Sequence, residues 1–374
     1  MADRMPTDPA EISLAFTEFA TDVAKGSPLY RALSERAARE PSVAEVLMAA
    51  PPAQRRPVLF LAAVHALLLD DPHGHPLAAY YPSVSGVPYT QDSATAAGDA
   101  LVELVGSHGD QLALIVASRS TQTNEVGRCA TFLPAMAMLG AEVGSFAHLD
   151  VGTSAGLNLL MPRFSYVFDG GTERERHIVG DPRVALPCAT LGDVPVPAGC
   201  PDIVWSAGLD AAPIDLDDPV SVTWLEACLW PDQTERFGRL VNAIAMASEA
   251  GLDVRRGDAV TDTAAAVVEA TAHGHPVVTT SWVMSYLTQQ QQEAVVDSLD
   301  HVGAHTDLSW VLAEAPAHTP GIPVPGSGGD EEITVLSVIR WRSGRRTVDR
   351  LATAHPHGAT LRWEAGAATS FSRS

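Results

Sequence analysis

Basic residues are scarce in this chain: 24 Lys and Arg stand against 45 Asp and Glu, a formal net charge of −21. A field of that sign repels phosphate backbones and anionic bilayers, so neither nucleic acid nor a membrane is an expected partner. The densest basic group, Arg340, Arg342, Arg345 and Arg346, alternates like the exposed face of a strand and hairpin. Cysteine is also rare. The four present (Cys129, Cys188, Cys200, Cys228) are widely spaced and form no C-x-x-C, so neither a disulfide framework nor a zinc knuckle is indicated. No apolar run reaches the ~20 residues that span a bilayer. The opening MADRMPTDPAEIS has mixed charge and no apolar leader core, so a cytoplasmic protein is expected. What the chain does have is apolar mass, 46% of 374 residues, enough for one large or two ordinary domains.

Its grammar changes near residue 140. Before that point it is helical. Ile12, Phe16, Phe19 and Val23 recur at helical spacing up to Gly26, and Ser27-Pro28 is a helix start. Val58–Leu69 is apolar nearly all round and belongs at the centre of the helical region. Residues 71–89 form a loop, Thr95–Val105 is helical, and Leu112–Val116 is at most one strand. From about 145 short apolar runs alternate with helices: Phe146–Val151, the run around Leu252 and Val254, Pro276–Thr280 and Leu308–Ala313. Ile333–Trp341 and Ala359–Trp363 face each other as a terminal antiparallel pair. The expected fold is α/β, a mostly parallel Rossmann-like sheet with a closing antiparallel hairpin. An all-helical N-terminal region (1–140) precedes the α/β domain (141–374), which holds a long insertion at about 171–250 with proline-rich loops and a helix.

The segment LDVGTSAGLNLL (149–160) supports two chemistries. Gly152-Thr153-Ser154-Ala155-Gly156 fits G-x-S-x-G, the elbow of a serine hydrolase, with His355 or His357 in permissible order downstream. That elbow needs earlier strands to supply an oxyanion loop, and almost everything before residue 145 reads as helix, with at most one strand at Leu112–Val116. As D-x-G-x-x-x-G the same segment is a cofactor loop, a strand ending in an acid followed by a glycine turn and a helix start. It lacks G-x-G-x-x-G, and Asp150 two residues before Gly152 crowds a phosphate but suits an ammonium group. A ligand with an amino-acid end and a ribose end is S-adenosylmethionine (SAM). Asp150, Gly152, Thr153, Ser154, Gly156 and Asn158 are assigned to its amino-acid end. Asp169, where a second strand should end, takes the ribose, Asp258 the adenine, and Ser281 the edge where substrate meets cofactor.

Several segments are familiar together. SPLY, AAVHALLL, YYPS, TQTNEVGRCATFLPAM, VGTSAGLNLL, GLDAAPIDLDD and WLEACLWPDQTERFGRL resemble a bacterial family of unassigned function. That family, common in actinobacteria and proteobacteria, is described as related in fold to class I SAM-dependent methyltransferases. The resemblance covers roughly residues 10–315 and implies the fold without naming a substrate. This chain has Asp150 where the family often has glutamate, and MPRFSY (161–166) where an acid commonly precedes the arginine.

The remaining candidates concern the acceptor. Asn124, Glu125 and Arg128 lie in a polar turn, with Thr123 or Asn124 as the expected helix cap and Arg128 exposed, and are assigned to substrate binding. Asp210, Asp215 and Glu314 are the acid/base candidates. The acids at 210–218 lack an EF-hand pattern, and the pairs His73/His75, His273/His275 and His355/His357 lie in turns without a third ligand at metal spacing. His148 is expected as a core histidine. WLEACLW and VLFLAAVHALLL are expected to form a lid or a homodimer interface. The activity expected is methyl transfer from SAM to a small-molecule oxygen or nitrogen; the alternative is a silent SAM- or nucleotide-binding protein.

Overall fold

A computed structural model describes residues 6–170, 175–320, 333–364 and 368–369. The chain divides into two compact units, residues 1–123 with 216–241, and residues 124–215 with 242–374. The first boundary therefore falls after Thr123, and a later segment returns to the first unit.

The first unit is helical. Six of its α-helices, Pro9–Glu18, Pro28–Ala37, Pro41–Met48, Pro57–Asp70, Pro82–Ser85 and Pro219–Ala227, begin with proline, whose missing N–H is unneeded in the first turn. Ser27 caps Pro28–Ala37 by accepting the Tyr30 N–H. Pro57–Asp70 lies in the core, with Leu59 through His65 buried, as its apolar circumference requires. Around it pack Phe16, Leu29, Leu33, Leu47, Leu101 and Val116. This burial leaves neither VLFLAAVHALLL nor Trp224 and Leu225 of WLEACLW as an open apolar face. Leu112–Val116 is helix, within Ala94–Ser118, which loses helical geometry at His108. Contrary to expectation, one helical stretch, Gln91–Ser118, is long and apolar enough to cross a membrane by length and composition; 33% of its window is buried.

The second unit is built on one twelve-stranded sheet. Its strands are β1 (Phe146–Val151), β2 (Phe164–Asp169), β3 (Arg176–Ile178), β4 (Asp181–Leu191), β5 (Ile203–Asp210) and β6 (Val254–Arg256). They continue with β7 (His275–Ser281), β8 (Leu308–Glu314), β9 (Thr334–Arg342), β10 (Arg345–Ala354), β11 (Thr360–Trp363) and β12 (Ala368–Thr369). The order is β3-β2-β4-β11-β10-β9-β8-β7-β1-β5-β6, with β12 also on β10. The five neighbours β6-β5-β1-β7-β8 are all parallel. β1 and β8 are buried at every position, as strands covered on both faces must be. After an excursion through β2, β3 and β4 at the far end of the sheet, the chain returns to fill one flank of β1 with β5 and β6 and then the other with β7 and β8. The switch point lies between β1 and β7, where Asp150 is opposite Thr279.

Three expectations are corrected. Residues 171–250 are not proline-rich loops around one helix, since they contain β3, β4 and β5 and contribute to two helices, Pro219–Ala227 and Thr234–Ala250. Asp169 ends a strand, but not the neighbour of β1: β4, β11, β10, β9, β8 and β7 lie between β2 and β1. The acid ending the strand beside β1 is Asp210. Finally, 333–341 and 359–363 do not pair with each other, because the basic stretch between them is itself β10 and pairs with both.

Candidate functional site

The loop leaving β1 turns by three left-handed residues, Gly152 (φ 75°), Ser154 (φ 56°) and Gly156 (φ 78°). A Cβ on Gly152 would lie 2.2 Å from Val283 Cγ2, and one on Gly156 2.5 Å from Val254 Cγ2. Glycine is required at both, for conformation and for space. The helix expected after the loop is a seven-residue 3₁₀ turn, Leu157–Arg163.

Protein atoms hold the loop amides. Gly152 N–H donates to Leu209 O at 2.7 Å and Gly156 N–H to Thr153 O at 2.9 Å. Ser154 N–H donates to Asp210 Oδ2 at 2.7 Å. Asn124 Oδ1 accepts from both Ala155 and Leu157, at 3.2 and 3.1 Å. Ile214 N–H donates to Ser154 O at 3.2 Å, so residues 210–214 back the loop. Asp210 is half-buried and also accepts from Ala212 at 2.8 Å. Beneath lies Asp150, 2% exposed, accepting from Thr153 Oγ1 at 2.8 Å and Thr279 Oγ1 at 2.6 Å. Because the Thr279 hydroxyl donates to Asp150, it accepts from His148 Nε2, 2.8 Å away. Burial lowers the His148 pKa to about 4 and, against the two threonine bonds, raises that of Asp150 to about 6.

A second layer lies at the ends of β7 and β8. Glu314, fully buried, accepts Val283 and Met284 N–H at 3.0 and 3.2 Å. Burial pushes its pKa up to about 8, with the Val283 bond and the Arg128 charge opposing. Trp282 has φ 58° and donates Nε1–H to Thr334 Oγ1 at 2.8 Å. The Arg128 guanidinium lies 6.0 Å from the Trp282 ring and donates to the carbonyls of Pro356 (2.9 Å) and Ser281 (3.3 Å). Ser281 Oγ is buried with no hydrogen-bond partner among the described residues. Glu125, 6% exposed, accepts Gly127 N–H at 2.9 Å and lies 3.9 Å from His357 Nδ1. The helix beyond starts at Arg128 with no side-chain cap bond, so Asn124 is a loop acceptor rather than a cap, and Arg128 is half-buried rather than exposed.

The fold thus gathers Asn124, Asp150, Gly152, Thr153, Ser154, Gly156 and Asp210 in one bonded cluster, with Glu125, Arg128, Ser281 and Glu314 along the same edge. Asn158 adjoins it through the Cys129 thiol, which donates to its Oδ1 at 3.4 Å. Asp258 follows β6 but is exposed, and it accepts Val260 and Thr261 N–H as a turn residue does. Asp215 is exposed. Asp169 is at the other end of the sheet order. His148, expected as a core histidine, is 2% exposed and hydrogen-bonded to Thr279, a partner the sequence alone does not single out. No group of three or more His, Cys, Asp or Glu able to hold a metal occurs among the described residues. For Ser154 the left-handed φ and crowded glycines are shared with a nucleophile elbow. The described residues before β1 contain no strand to carry an oxyanion loop.

Fold and site together define an α/β protein with a large, mostly parallel sheet and an acid-rich glycine loop at its switch point. The chain belongs to the family described as "uncharacterized protein conserved in bacteria" (DUF2332), whose model matches residues 13–363. No curated protein matches it.

Proposed function

We propose that the sheet unit binds SAM at the carboxyl edge of β1, β5 and β7 and serves methyl transfer to a small-molecule oxygen or nitrogen. One observation supports this most: the β1 loop sits at the switch point of five parallel strands, tied through Ser154 to the acid that ends the next strand. Asp210 replaces Asp169 as the ribose acid. Each of its oxygens takes one N–H, and a carboxylate has about four acceptor sites, so hydroxyl donors can still be received. Asp150, sealed below the loop, sets the loop's shape rather than touching a ligand. Glu125, Asp150 and Asp210 outnumber Arg128, and this balance suits a cationic ligand, while Glu314, with its pKa pushed up to about 8, is largely neutral near pH 7. When bound, SAM supplies the electrophilic methyl group. The chain's part is to orient the acceptor and exclude water; Glu314, held by Val283 and Met284, positions the 282–284 turn.

Equilibrium dialysis with labelled SAM, followed by assay for S-adenosylhomocysteine in the presence of metabolite pools, tests both halves. A second reading, a SAM- or nucleotide-binding protein without turnover, is favoured by the loop itself. The N–H groups of Ser154, Ala155 and Leu157 are already bonded to protein side chains. Binding without any S-adenosylhomocysteine would select it.

A further inference from the structure

Four segments with no part in the cofactor site, SPLY, AAVHALLL, YYPS and WPDQ, meet inside the helical unit. Ser27 Oγ donates to Asp232 Oδ2 at 2.7 Å, and Ser83 N–H to Pro231 O at 3.0 Å, so the turn holding Trp230 and Asp232 is pinned to both. His65 Nδ1 faces the Ala227 carbonyl at 3.1 Å and must donate, leaving Nε2 to accept from Ser83 Oγ at 2.7 Å. Burial lowers its pKa to about 4, so His65 stays neutral and is not the partner of Asp232. The Tyr30 ring lies 6.4 Å from Tyr81 and 5.6 Å from Trp230. Tyr81 is fully buried, and its hydroxyl, like that of Tyr89, has no hydrogen-bond partner among the described residues. Asp232 Oδ1 is likewise buried with no hydrogen-bond partner among the described residues, and the Asp232 charge adds to burial in pushing the phenols of Tyr30, Tyr81 and Tyr89 up. No cation is among the groups that shift these four side chains.

We propose that the helical unit carries a second binding site, for a protonated primary amine, formed by the Asp232 carboxylate and the phenols of Tyr30, Tyr81 and Tyr89 beside the Trp230 ring. An ammonium group supplies what this cluster lacks: N–H donors for the carboxylate and phenol oxygens, and a positive charge for the ring faces. Asp232, Tyr89 and Trp230 are partly exposed and form the approach, with Tyr30 and Tyr81 behind them. A neutral polyol offers no charge, and an anion would meet Asp232 unscreened. The site is independent of SAM binding.

Saturation-transfer difference NMR on the full chain with n-butylammonium tests it, with butyrate as the size-matched anion. The expected result is a saturable signal for the amine and none for butyrate. Asp232→Asn weakens binding by about tenfold or more, and Tyr89→Phe, at the approach, by roughly threefold. Asp210→Ala, in the other unit, leaves amine binding unchanged, which separates this site from the cofactor site. No saturable signal in the folded wild type, equal binding by folded Asp232→Asn, or an equal signal from butyrate would each overturn the proposal.

Discussion

Replacing Asn124 with alanine removes the oxygen that accepts from both Ala155 and Leu157 N–H. Asn124 is 6% exposed, so water does not readily replace it. A satisfied bond contributes about 1 kcal/mol net, while a buried donor left without an acceptor costs about 1–3 kcal/mol. With two donors and partial relaxation, the expected loss is about 2–4 kcal/mol. It should fall on the loop before it falls on the sheet, since the β1 ladders to β5 and β7 do not involve Asn124. The assay is urea unfolding together with site-resolved amide exchange. Asn124→Ala should lower the midpoint and accelerate exchange of Ala155 and Leu157 by about tenfold per 1.4 kcal/mol, leaving Leu149 protected. A loss below about 0.5 kcal/mol with unchanged exchange would refute the view that this side chain holds the loop.

Other consequences follow from single positions. Gly152→Ala forces a Cβ to 2.2 Å from Val283 Cγ2 at φ 75°, and should cost about 2–4 kcal/mol by denaturant titration, partly recovered with Val283→Ala. Glu314, with a pKa of about 8 when folded against about 4.3 unfolded, adds stability below pH ~4 that is lost as pH rises towards 8. Unfolding free energies at pH 5 and 8 should therefore differ less in Glu314→Gln than in the wild type. Phe60→Ala, at the fully buried centre of the helical unit, should cost about 3–5 kcal/mol and destabilise that unit's transition by calorimetry.

Local patterns were legible in the sequence and pairings between distant strands were not. β1, β7 and β8 each carry a short apolar stretch, and Ser27 capping and the all-round apolar Pro57–Asp70 helix follow from local chemistry. β5 left little trace because only Ala207, Gly208 and Leu209 of it are buried, one of them a glycine. β4 buries Val184, Leu186 and Cys188 in clean alternation, but Pro182 and Pro187 interrupt the run and read as loop. Choosing between Asp169 and Asp210 depends on strand order. Both acids end a strand, and only the long excursion through β2, β3 and β4 decides which strand lies beside β1. The role of Asn124 was hidden for the same reason: its partners are some thirty residues away.

That distinction also gives the most direct test of the account. Isothermal titration with SAM should be run on the wild type, Asp210→Ala and Asp169→Ala. The strand order predicts binding by the wild type, its collapse in Asp210→Ala, and no change in Asp169→Ala. No binding by the folded wild type, or loss in Asp169→Ala with Asp210→Ala intact, would contradict a SAM site at the carboxyl edge of β1 and β5.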